Sequence, residues 1–334
     1  MGKRFGKALA ALLTAGCVLL TSVGVAAVPD GQEQSIALLS ELNIMKGDPD
    51  GNFRLGDSVS RAEFTKIAVA SSSSRNSVAS GLAIAPFRDV SFQHWAAPYI
   101  KLAVSKGYCK GYPDGTFDPD GQVRYEEAVT MLLKVLGYTD EDFGVSWPYG
   151  QVGMADSLEI TKGVDRGIGD VLTRRDVATL VYHTLDAKNK LTGQKQISDF
   201  DCAIKENILL IATNREDSSV AFDKVYTTAG TFEVGASFDA SLVGRKGDAV
   251  IKEGDTLLSF APQEQQVNAY RVDSTIGADL VLDGKVLQLE EELPVYYKSQ
   301  KLAYKNLIDV AQPGDTFVTF TTQDGTLDYA MLKS

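Results

Sequence analysis

The chain has 334 residues, 44% hydrophobic and 23% charged, with a formal net charge of −11. That length exceeds one small core and predicts two or three domains. The acidic balance extends through both halves beyond a basic N-terminus, which argues against broad binding of nucleic-acid phosphates and leaves any anionic ligand to a few placed arginines.

Lys3, Arg4 and Lys7 precede an uncharged run of apolar and small residues from Ala8 to Ala27. Val25-Ala26-Ala27 offers a cleavage site before Val28, so the layout predicts a secretory signal peptide over 1–27. The alternative is a retained anchor, because a bilayer span needs roughly 20 residues. The polar stretch Asp30-Gly31-Gln32-Glu33 favours cleavage. Cys17 is a poor lipidation site, since apolar residues continue past it. Cys109 and Cys202 read as two unpaired thiols rather than a bridge.

Self-similarity dominates the next part of the chain. Three segments share one order: an apolar helix pattern, Lys-Gly, a turn-rich loop and a capped helix. The Lys-Gly pairs are Lys46-Gly47, Lys110-Gly111 and Lys162-Gly163. The first helix is carried by Ile36 to Leu42 in the first segment, and by Trp95, Tyr99, Leu102 and Ala103 in the second. The loops GDPDGNFRLGD (47–57) and GYPDGTFDPDG (111–121) hold Pro-Asp-Gly turns, in which glycine accepts positive φ. Phe53 and Phe117 are expected to plug these loops onto the core. The aspartates do not follow a calcium-loop spacing, so no metal or cofactor is expected.

The second helices are predicted to begin at Ser60, Arg124 and Thr173. Each carries one apolar stripe, for example Val177, Leu180, Val181 and Leu185. One such helix cannot bury its stripe alone, so a central bundle of the three is expected, with first helices and loops projecting outward. Ser71 to Ser77 reads as a flexible insert. The expected boundaries are repeats at 28–80, 81–140 and 141–188, a linker at 189–207 and a β-rich region at 208–334. Within that region Gly254–Phe260 echoes Gly314–Phe320, which predicts two small related β units, each a barrel or sandwich.

The segment FRDVSFQHWAAPYIKLAVSKGYCKGYPDGTFDPDGQV closely resembles an S-layer homology repeat. SRAE at 60–63 resembles that family's TRAE motif, and TRRD at 173–176 does so more loosely. The resemblance covers about residues 33–188. It implies a pseudo-threefold trimer of mainly α repeats that binds secondary cell wall polysaccharide, often pyruvylated, with the motif arginines, Arg61 and Arg174, as ligand contacts. Ser60 with Glu63 and Thr173 with Asp176 also form capping boxes, and capping is the favoured reading of all four. Arginine at the first helical position opposes the macrodipole. A guanidinium there can instead pair with a carboxylate beside an anion-attracting helix N-terminus, so both arginines are expected on the surface as ligand contacts. The second repeat departs from the pattern: Tyr125 stands where the arginine belongs and Arg124 where the cap belongs, so its site is weak, dead or altered. Trp95 and Tyr112 can stack on a sugar, with burial as anchors the favoured reading.

No catalytic constellation is found. His94 and His183 are the two histidines, and 203–334 holds neither histidine nor cysteine. The expected function is non-catalytic anchoring of a secreted surface protein to the bacterial cell wall. The rivals are an S-layer lattice subunit that self-assembles or meets other surface proteins, a tethered ligand-binding module, and a wall-remodelling hydrolase.

Overall fold

The computed structural model describes residues 31–235, 238–277 and 279–334, so the expected signal peptide and Cys17 lie outside them. Six helices come first, in three pairs: α1 (Gly31–Glu41) with α2 (Arg61–Ala70), α3 (Ala97–Ser105) with α4 (Tyr125–Val135), and α5 (Tyr149–Ser157) with α6 (Arg174–Asp186). The second helix of each pair begins where its cap chemistry places it. Ser60 accepts from Glu63 N while Glu63 reaches back to Ser60 N, and Thr173 and Asp176 do the same. None of these helices is long and apolar enough to cross a membrane.

The pairs do not pack as self-contained hairpins. Each first helix lies against the second helix of another pair: α3 on α2, α5 on α4 and α1 on α6. This corrects the expectation of first helices projecting outward. A nine- to eleven-residue helix with one apolar stripe is too small to stand free, and the exchange buries every stripe in one shared core.

Three extended residues, each just before a second helix, meet at the centre. Val59 N donates to Leu172 O at 3.1 Å, Val123 N to Val59 O at 2.9 Å, and Leu172 N to Val123 O at 3.2 Å. All three side chains are fully buried, so each backbone donor needs a partner, and the cyclic exchange supplies one to each. The loops then close over this centre. Phe117 is fully buried and Phe53 packs against the same core. Gly51 and Gly115 take φ values of +80° and +81°, as the turns require. A Cβ on Gly111 would lie 2.2 Å from the Phe87 ring, so only glycine fits there.

Two stretches read as loose are packed. Ser71, Ser72 and Ser74 are buried, and Gln196 Nε2 donates to Ser71 O at 3.1 Å. Arg75 stacks on the Phe200 ring at 4.0 Å and donates to Asp199 O. The stretch 189–207 therefore does not act as a free linker. A short 3₁₀ helix, Gln196–Phe200, is built into the helical core, and the first strand begins at Cys202.

The remainder is β. Strands β1 (Cys202–Ala212), β2 (Lys224–Thr227), β3 (Gly230–Val234), β4 (Lys246–Lys252) and β5 (Thr256–Pro262) close a barrel in the order β1-β2-β3-β5-β4. Strands β6 (Gln266–Ile276), β7 (Asp279–Leu282), β8 (Lys285–Val286), β9 (Pro294–Tyr297), β10 (Gln300–Ala303), β11 (Thr316–Thr321) and β12 (Leu327–Lys333) form one sheet in the order β10-β9-β12-β11-β6-β7-β8. The run Ile208–Ala212 is apolar throughout because both its faces are covered. Ile208 and Leu210 point into the barrel, while Leu209 and Ile211 meet Val318, Phe320 and Met331 of the sheet. The two sequence echoes fall on strands with different partners: β5 pairs with β4 and β3, whereas β11 pairs with β12 and β6.

Candidate functional site

The motif arginines are joints between repeats. Arg61 extends from the start of α2 into the second loop, where Nε donates to Phe117 O at 2.9 Å and one terminal nitrogen to Lys110 O at 2.7 Å. The other pairs with Glu127 at 2.9 Å, and the guanidinium lies over the Tyr112 and Phe117 rings at 4.9 and 4.7 Å. Its side chain is only 7% exposed. Arg174 repeats the arrangement on the first loop, with Nε to Phe53 O at 2.6 Å and a terminal nitrogen to Lys46 O at 2.8 Å. The expectation of surface arginines is thus corrected: Arg61 is buried and Arg174 half-buried. The cause is carbonyl density. Each loop turns two carbonyls toward a neighbouring helix start, and a planar fork satisfies both at once.

The helix N-termini are also occupied. Arg61 N donates to Gly121 O at 2.7 Å, Tyr125 N to Asp170 O at 2.9 Å, and Arg174 N to Asp57 O at 2.8 Å. These are amides a helix leaves unpaired, and the neighbouring loop takes them before any anion can.

The second repeat makes its joint differently. Tyr125 is buried and its hydroxyl hydrogen-bonds Thr161; burial pushes the phenol up. Arg124 donates to Gly169 O at 2.7 Å, and Glu126 accepts from Gly169 N at 2.8 Å. Arg124 therefore clamps the third loop. Glu127 serves two joints, accepting from Arg61 and the Tyr112 hydroxyl through Oε1 and from Arg124 N through Oε2. Asp176 is tied to Thr173 and to Arg166 at 2.9 Å. Trp95 is 52% exposed and Tyr112 40%, so neither is the buried anchor that was favoured. The loop aspartates close their own turns, Asp48 accepting from Asp50 N and Asn52 N and Asp114 from Thr116 N, while Asp89, ahead of α3, accepts from Phe117 N and Asp118 N of the second loop. Among the described residues no group of three or more acidic, histidine or cysteine side chains is placed to hold a metal.

The Arg61 joint borders a cavity of about 370 Å³. Besides Arg61 and Glu127 its lining includes Lys110, Lys134, Asp140, Trp147 and Gln151. Trp147 is 57% exposed. The Gln151 side chain is buried, and its Oε1 has no hydrogen-bond partner. Asp140 bridges the two lysines, and its bonds to Lys110 and then Lys134 hold its carboxyl down to about 2. Cys109 also lines the cavity, and burial pushes its thiol up to about 11, so it is not a ready nucleophile. Cys109 and Cys202 are both free.

Lys134, Asp140, Trp147 and Gln151, which line this cavity, are not among the residues that the sequence singled out. A signal was available, because α3 and α5 are of equal length. Registering one on the other puts Trp147 at the place of Trp95 and Gln151 at that of Tyr99.

The S-layer homology domain model matches residues 25–65 and 86–129. These two stretches of the chain are S-layer homology sequence. A "Cell surface protein" of Thermoanaerobacter kivui is 30% identical over 208 residues, 57% of this chain and 25% of that protein. A "Surface layer protein" of Brevibacillus choshinensis is 28% identical over 180 residues, 53% of this chain and 15% of that one. A "Cellulosome-anchoring protein" of Acetivibrio thermocellus is 34% identical over 103 residues, 30% of this chain and 23% of the other. The chain thus spans a quarter or less of the length of these relatives. The family match stops within α4, and the S-layer homology pattern of the third helix pair rests on the capped start of α6 and on Arg174.

Proposed function

We propose that the chain resides at a bacterial cell surface, where its S-layer homology repeats hold it non-catalytically to the wall by taking up an acidic secondary polysaccharide. The repeats are read as a pseudo-threefold body closed by the Val59–Val123–Leu172 cycle. The observation that carries the reading is the cavity at the Arg61 joint. It combines two ammonium groups, an exposed indole and an unpaired amide, the set that a sugar with an acidic substituent satisfies. The similarity to surface layer and cellulosome-anchoring proteins agrees with a surface role.

In this reading Arg61 and Arg174 shape the repeats, while Lys110, Lys134, Trp147 and Gln151 meet the ligand. Ser60, Glu63, Thr173 and Asp176 act as caps. The test is sedimentation of the full chain with cell walls of its source, before and after acid stripping of the secondary polymer. Pelleting is expected with intact walls and lost with stripped ones. Lys134→Met is expected to weaken it roughly 10-fold or more, the worth of one charge-assisted bond. Equal pelleting with stripped walls would refute the polymer as ligand.

A further inference from the structure

Asp140 holds both lysines of the cavity, with Oδ2 on Lys110 at 2.6 Å and Oδ1 on Lys134 at 2.7 Å. Arg61 and Glu127 neutralise each other. The cavity therefore keeps two ammonium groups and one carboxylate, an excess of one positive charge in a chain of net charge −11.

The Asp140 carboxylate is not needed to close its own turn. The turn that contains it is closed by Asp142, which accepts from Thr139 N at 2.8 Å and is fixed by Lys190 at 2.6 Å. The Asp140 side chain is 57% exposed and Lys110 72%, a pair that exchanges at little cost, whereas Lys134 is only 11% exposed, so whatever displaces Asp140 must bring a negative charge to it. The carboxyl is held down to about 2, so protonation does not vacate the position near neutral pH. Only a competing anion can.

We propose that Asp140 is a displaceable internal counter-ion that sets which ligands the cavity keeps, by occupying the seat between Lys110 and Lys134 that the acidic group of the wall ligand takes. The inference rests on the anchoring reading above. A small anion gains from the two lysines only what Asp140 already supplies, so it is not retained. A sugar bearing one acidic group gains more, because it also covers the Trp147 indole and brings a hydrogen-bonding partner to the Gln151 amide. Gln151 stands where the second repeat has Tyr99, so this demand is particular to the third repeat's helix.

The experiment uses the full chain, intact walls at low salt, and the variants Asp140→Asn and Glu141→Gln. Both remove one negative charge, but Glu141 is exposed and outside the cavity lining. Asp140→Asn is expected to bind roughly twofold to fivefold more tightly than wild type, the range that an exposed pair commands. Glu141→Gln is expected to match wild type in binding and in melting curve, whereas Asp140→Asn without walls is expected to melt somewhat lower, because Lys134 loses its carboxylate, and to stay folded at the assay temperature. Unchanged or weaker binding by Asp140→Asn, with wild type binding normally, would overturn the proposal and make Asp140 a group that positions the lysines. An equal gain from Glu141→Gln would overturn it too, by reducing the effect to net charge. Failure of the wild type itself to pellet would instead refute the anchoring reading, and this inference with it.

Discussion

Arg61→Ala is the substitution on which the joint and the ligand-contact views of the motif arginine disagree most. The change removes three hydrogen bonds at 2.7–2.9 Å and leaves the carbonyls of Lys110 and Phe117 without that donor. It also strips Glu127, whose side chain is 15% exposed, of its cation. Breaking a buried ion pair from one side costs about 3–5 kcal/mol. Glu127 keeps the Tyr112 hydroxyl and Arg124 N, and the adjoining cavity admits water, so the low end applies, about 3 kcal/mol. For a body of this size that lowers Tm by roughly 6–12 °C. Circular dichroism at the helix band, followed on heating, measures it. Arg61→Lys is expected to fall between, because an ammonium keeps the charge but cannot span two carbonyls and a carboxylate as the fork does. An unchanged Tm for Arg61→Ala together with loss of wall binding would refute the reasoning and restore the arginine as a ligand contact.

Two further outcomes follow from local chemistry. Thr173→Ala removes the hydroxyl that caps Asp176 N and is expected to cost about 1 kcal/mol in urea unfolding, while Thr173→Ser, which keeps the cap, is expected to be near neutral. His183 lies on α6, where burial and then the Lys162 charge lower its pKa from 6.5. The neutral ring is thus favoured in the folded state. Above pH 6.5 both states are neutral and stability is full; as pH falls from 6.5 toward the lowered folded value, the unfolded state takes up the proton first and stability declines. Urea midpoints at pH 7 and below should show this decline, and His183→Gln should flatten it. An equal slope in the variant would assign it to other groups.

The starts of the second helices were legible because capping is local: the hydroxyl, the acid three residues on and the apolar stripe lie within one turn or two. The burial of Arg61 was not, because its partners Lys110, Phe117 and Glu127 lie 49, 56 and 66 residues away. From sequence, Glu127 reads as a residue of its own helix start, and nothing local reveals that its other oxygen serves a neighbouring repeat. The packed state of Ser71–Ser77 was hidden for a similar reason: serine composition signals solvent, while the contacts that bury it come from Gln196 and Phe200. In the β half the echo at Gly254 and Gly314 marked two real strand starts, but strand partners depend on order within a sheet, which a repeated word does not encode.

Repeats stacked in a row can fray from either end, because a terminal unit has a single neighbour. The exchange among Val59, Val123 and Leu172 leaves no terminal unit, since each joins two others and the loss of one opens two joints. The barrel follows α6 in sequence, yet its β5 lies against α1, and the 3₁₀ helix leading into β1 carries Phe200, which is gripped by Arg75 from the connector between α2 and α3. Tension arriving through β1 is therefore delivered to the junction of the first two repeats as well as to the third. The ring offers such a load no terminal repeat at which opening could begin.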